Sequence, residues 1–143
     1  MPTKTYLEPT QVTGARFVKR AMTGSVVMLN LLRFRDVADY SAHPELASTT
    51  PISGAKAFDR YIAHTLPYLR DSGGEILFLG SGGHMLIGPE DEVWDKVLLV
   101  RQSSVASFLA FASHADYCRG LGHRTAALED SRLLAMSEDM IRE

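Results

Sequence analysis

At 143 residues, with 45% hydrophobic and 22% charged side chains, the chain has the size and composition of one folded domain, 1–143, rather than a disordered segment. A net charge of −2 leaves no field to hold a nucleic-acid backbone or an anionic membrane surface, and no apolar run reaches the roughly 20 residues that span a bilayer. Cys118 is the single cysteine, which excludes an internal disulfide and any multi-cysteine metal centre and suits a reducing compartment.

Met1 to Gln11 is polar and lacks the apolar stretch of a signal peptide, so a cytoplasmic location is expected. Thr10 is placed to cap a short helix reaching about Met22, with Val12, Ala15, Val18 and Met22 on one side, so that residues 1–23 form a helical extension. Ser25 to Arg35 (SVVMLNLLRFR) reads as the first strand and is apolar on both alternating faces. Asp36 to Ser53 is a long loop with two prolines, Pro44 and Pro51, and is expected to be mobile and to gate a cleft. Ser53 caps a helix to about Arg70, whose Phe58, Ile62, Leu66 and Leu69 recur at helical spacing, with a kink expected at Pro67 and a stop at Gly73-Gly74.

Glu75 to Gly88 reads as a second strand interrupted by Ser81-Gly82-Gly83, and Trp94 to Gln102 as a third, the two making a hairpin. Ser104 caps a further helix that Ser113 restarts, carrying Tyr117, Leu121, Arg124 and Leu128. Ser131 to Met136 closes the chain as a fourth strand. Strand, helix, strand, strand, helix, strand with right-handed crossovers is the ferredoxin-like βαββαβ plan: an α+β fold with a four-stranded antiparallel sheet and both crossover helices on one face. Helices cover only one face, yet the first, third and fourth strands are apolar on both, so a second copy of the chain is expected to cover the other as a homodimer.

The segments MLNLLRFR, GGEILFLG, WDKVLLV and ADYCRGLGHRTAALEDSRLL resemble the family called domain of unknown function 1330, over about the last four-fifths of the chain. The resemblance implies a dimeric α+β barrel, in which two ferredoxin-like sheets pack face to face around a cleft. The wider group includes cofactor-free monooxygenases, isomerases and haem-binding dismutases, so the likeness implies fold and assembly but no activity. Asn30, Gly73-Gly74, Tyr117 and Arg124 stand at positions where the family has like residues. The leading helix and the Asp36–Ser53 loop depart from its short members.

Four residues are candidates for chemistry. Asn30 is the uncharged polar residue within an apolar strand run. With Val27, Leu29 and Leu31 taken as the helix-facing set, it points into the barrel, either lining the cleft or satisfying a neighbouring backbone group. His84, beside the small-residue interruption, is the acid–base candidate, with a purely structural role as the alternative. Tyr117 and Arg124, two helical turns apart, can hold a carboxylate; equally, Arg124 can pair with Asp130 to lock the last helix onto the sheet. The histidines show no metal-ligand spacing, and no phosphate loop, dinucleotide fingerprint or nucleophile elbow is present, so neither metal nor cofactor is expected. Two readings follow: a small-molecule-binding dimer, extending to a cofactor-independent enzyme for an organic acid or phenolic compound, or a non-enzymatic dimerisation module.

Overall fold

The apolar run Val26–Phe34 forms the first strand (β1) of the computed structural model, which describes residues 4–142. Residues 1–3 and 143 of the expected domain and extension lie outside the described residues. Strands β2 (Glu75–His84), β3 (Val93–Gln102) and β4 (Leu128–Ser137) join β1 in one antiparallel sheet of order β2-β3-β1-β4. Leu29 faces Leu99 on one side and Leu134 on the other, which fixes the register at the sheet's centre. Preceding β1 is α1 (Gln11–Lys19); α2 (Gly54–Asp71) crosses from β1 to β2; α3 (Val105–Ala112), α4 (Ala115–Cys118) and α5 (Leu121–Ala127) cross from β3 to β4. This is the ferredoxin-like βαββαβ arrangement with one helix added in front. Among the described residues no helix is long and apolar enough to cross a membrane.

Local signals explain the helix ends. The Ser53 hydroxyl accepts from the Lys56 N–H to start α2, and Gly73, at φ +86°, ends it in the left-handed conformation that glycine takes without strain. Thr10 and Thr13 cap α1 reciprocally. α2 runs through Pro67 without stopping and buries Phe58, Tyr61 and Leu69 against Leu32, Leu98 and Leu128 of the sheet and Phe111 and Tyr117 of the other crossover. α1 buries no residue completely. Its Phe17 meets Phe108 of α3 edge-on at 5.7 Å, which sets it against the helix layer rather than over the other face of the sheet.

Two expectations are corrected. The side of β1 under the helices carries Val26, Met28, Asn30 and Leu32, all buried, whereas Val27, Leu29 and Leu31 are only half-buried on the opposite side. The phase is the reverse of the one read from the sequence. Residues 36–53, expected to be a mobile gate, are tied down instead. The Ala38 N–H donates to Ile52, the Asp39 N–H to Ala126, and the Leu46 N–H to His43 within a 3-10 turn at Pro44–Leu46, so the loop lies on α2 and α5.

Gly54 shows how tightly that junction is built. A Cβ there would overlap the Arg35 carbonyl oxygen and sit 2.6 Å from that of Ala127, and backbone atoms have little room to yield. Gly54→Ala is expected to lower the unfolding free energy by about 2–3 kcal/mol in urea titrations. Gly14→Ala, in a helix with nothing within 4 Å of the new methyl, should be neutral or stabilise by up to ~1 kcal/mol. Equal effects of the two substitutions would show that the junction is looser than its geometry.

Candidate functional site

The face of the sheet without helices is apolar in its middle. Val27, Leu29 and Leu31 of β1, Val97 and Leu99 of β3, and Leu134 and Met136 of β4 share it by alternation and register, and Phe78 of β2 joins opposite Leu99. The Phe78 ring folds over Gly80, where a Cβ would lie 2.6 Å from the ring, so glycine leaves the ring its place there. One end of the face is closed by the exposed Glu75–Arg101 ion pair at 3.3 Å.

The other end is densely polar. The Arg132 guanidinium lies 5.1 Å from the Trp94 ring centre and 4.8 Å from that of Tyr6, with Arg33 over the same indole at 5.7 Å. Buried Asp130 accepts from Arg132 at 2.7 Å, from Arg33 at 3.4 Å and from the backbone N–H groups of Tyr6 and Ser131. Burial pushes its carboxyl up, but these donors outweigh burial and hold it below the ordinary carboxylate range.

The four sequence candidates do not form one cluster. Asn30 is 8% exposed on the helix-covered face, where its amide donates to the Met28 and Leu98 carbonyls at 3.3 and 3.4 Å. The expectation that it points to the open side is therefore corrected, and the contact it makes is the backbone-satisfying one. Tyr117 is buried in the core with its hydroxyl 2.6 Å from that of Tyr61. Burial, and then the neighbouring Tyr61, push its pKa up, opposed by the charge of Arg124, which the fold does bring near it. Arg124 donates to the Leu7 carbonyl at 2.6 Å and to Ser131 Oγ at 3.4 Å, so it ties the segment before α1 to β4. Asp130, weighed as its partner, is bound by Arg33 and Arg132 instead. His84 stands apart, exposed at the end of β2 opposite Val93.

A second polar cluster escaped the sequence reading. Tyr40, in the loop, places its hydroxyl 2.7 Å from His123 Nδ1 of α5, and Arg60 of α2 donates to the Ser48 hydroxyl. Burial first, then the charges of Arg60 and His64, press the His123 pKa below its ordinary value, which leaves the ring neutral at pH 7. His64 is bonded to the Asp116 carbonyl at 2.8 Å, and among the described residues no three metal-ligating side chains converge. The one available sequence signal was Arg60 and His64 at i, i+4 on a single helix face; nothing local announced their partners in the loop and in α5.

Asp130 supplies a measurable pH dependence. Because its folded pKa lies below the unfolded one, its contribution is complete above the ordinary carboxylate value of about 4 and is lost as pH falls through the lower folded value. Asp130→Ala takes the buried carboxylate from Arg132 and Arg33, leaving them the Ser131 carbonyl and Glu129, and frees the Tyr6 N–H. It is expected to cost about 2–4 kcal/mol at pH 7 and to flatten the acid limb of stability against pH. Wild type and variant losing stability in parallel between pH 5 and pH 2 would remove Asp130 from that role.

No family model and no curated protein matches the chain. Among solved structures, the RPA0582 protein of unknown function from Rhodopseudomonas palustris is 34% identical over 96% of this chain and 100% of its own, with a TM-score of 0.81. Methylated RPA0582 gives the same identity over 96% and 98%, with a TM-score of 0.83. A dimeric protein of unknown function with a ferredoxin-like fold from Bacteroides fragilis NCTC 9343 overlaps more loosely, at 13% identity and a TM-score of 0.49 over 80% and 96%. At one-third identity along nearly the whole length of both partners, the chain belongs to the family of RPA0582.

Proposed function

We propose that the protein is a homodimeric small-molecule-binding protein of the cytoplasm, in which two open sheet faces pack together into an α+β barrel. The supporting observation is the apolar centre of that face, with its charges confined to the two ends. Three strand spacings of about 4.8 Å and a strand length of roughly 28 Å enclose on the order of 400 Å² of flat area. That is the size of the largest apolar patches on monomers, which often mark an interaction surface. At ~25 cal/mol per Å², covering it contributes about 10 kcal/mol gross per protomer, of which association entropy takes a large share. The same assembly is what the resemblance to domain of unknown function 1330 implies, and membership of that family is part of this proposal.

An organic acid or phenolic compound is the ligand class that fits, since guanidinium groups with aromatic neighbours recognise both. His84, exposed at the end of β2, is proposed by itself as an acid–base group, and Asn30, Tyr117 and Arg124 as ligand contacts beneath the helix layer, where each would exchange the partner it holds within the chain. That these three already have partners favours a second reading, a dimerisation module whose polar residues satisfy one another.

Light scattering at micromolar concentration is expected to give a mass near twice 15.8 kDa. Leu29→Glu, at the centre of the open face, should yield a monomer or an aggregate, because two like charges cannot be buried against each other. A wild-type mass of one chain across this range would refute the barrel. Retention of the dimer by Leu29→Glu would move the interface elsewhere.

A further inference from the structure

The loop between β1 and α2 holds a site that the barrel does not use. We propose that it binds a small carboxylate carrying an apolar body, seated in a pocket formed by residues 37–52 whose wall Arg60 reaches at Ser48. The pocket has a volume of about 300 Å³, with Val37, Ala38, Pro51 and Ile52 as apolar walls and Tyr40 and Ser48 as polar members. That size is at the lower end for ligand pockets and suits a body of about one ring.

Arg60 supplies the recognition. Its guanidinium is half-buried and donates through Nη1 to Ser48 at the pocket wall, and among the described residues no carboxylate comes within ion-pair distance of it. The acids of the loop, Asp36, Asp39 and Glu45, are exposed and leave it unpaired. A partly desolvated guanidinium with donors to spare gains more from an anion than a solvated one does. Tyr40 lines the same pocket: its hydroxyl meets His123 Nδ1 at 2.7 Å and lies beside the Arg60 guanidinium, so the cation stands next to two wall residues, Tyr40 and Ser48. The site lies against α2 and α5, on the layer opposite the open sheet face, so it is independent of the dimer proposed above.

The probe is benzoate, titrated into the full-length protein and followed by ¹H–¹⁵N NMR. Saturable shifts are expected at Tyr40, at residues 47–52, and at Arg60 and His123. Affinity should fall at least tenfold in Arg60→Gln, and acetate and benzyl alcohol, each lacking one half of the recognised structure, should bind at least tenfold more weakly. Ala47→Phe, an exposed wall position that carries no polar group, should fill the pocket and abolish the shifts; it also decides the matter if Arg60→Gln does not fold. Absence of loop shifts, shifts confined to sheet residues 27–33, equal affinity in either variant, or benzyl alcohol binding as tightly as benzoate would each overturn the assignment. Because the dimer is read from mass and this site from loop shifts, failure of one leaves the other standing.

Discussion

A sheet whose strands are apolar on both sides has to be covered twice, and the described part of this chain carries helices for one covering. The helix layer sits on the side of Met28, Leu32 and Leu98 and packs Phe58, Tyr61 and Tyr117 there. Everything on the opposite side follows from what remains: a half-exposed middle of Leu, Val and Met, and charges displaced to the ends of the strands. Neither α1 nor the long loop relieves that exposure, since one leans on α3 and the other on α2 and α5.

The same constraint explains what was legible in the sequence and what was not. Element order, and with it the ferredoxin-like plan, could be read because α1, α2 and α3 carry their own end signals: Thr10, Ser53 and Ser104 as caps, and Gly73 as the stop of α2. The phase of β1 could not be. Alternation assigns a face only when one side is polar, and here both are apolar. Asn30 was the single cue, and it misled, because the Met28 and Leu98 carbonyls within reach of its amide make burial tolerable. Proline content misled in the loop: Pro44 and Pro51 suggested mobility, whereas Pro44 opens a 3-10 turn inside a hydrogen-bonded segment.

Glycines that lower helix propensity also proved to be packing devices. A Cβ on Gly122 would lie 2.6 Å from Leu46 and 2.7 Å from the His43 ring, and one on Gly120 would strike His64. Their smoothness lets the loop and α2 approach α5 closely enough for Tyr40 to reach His123. By propensity alone, glycines at 120 and 122 signal no more than a weak helix. Contacts between side chains so distant in sequence leave no local trace, and for that reason the meeting of Tyr40 with His123 could not be read, whereas Tyr117 and Arg124, seven residues apart on one stretch, could be paired by spacing.

The two edges of the sheet are treated differently, and this bears on how copies of the chain meet. Along β4 the chain on either side of α1 closes part of the edge: before it, Tyr6 bonds Asp130 and Ser131 and Arg124 holds the Leu7 carbonyl, and at its end Arg20 donates to the Ala135 carbonyl at 2.7 Å. Along β2 the register slips between Ile76 and Phe78, and glycines at 80, 82 and 83 follow. A bulge twists an edge and breaks the row of donors and acceptors that another strand needs. Edge-to-edge extension of the sheet is thus opposed on both sides. The middle of the open face carries no such obstruction, and this is the geometry on which the face-to-face packing proposed above rests.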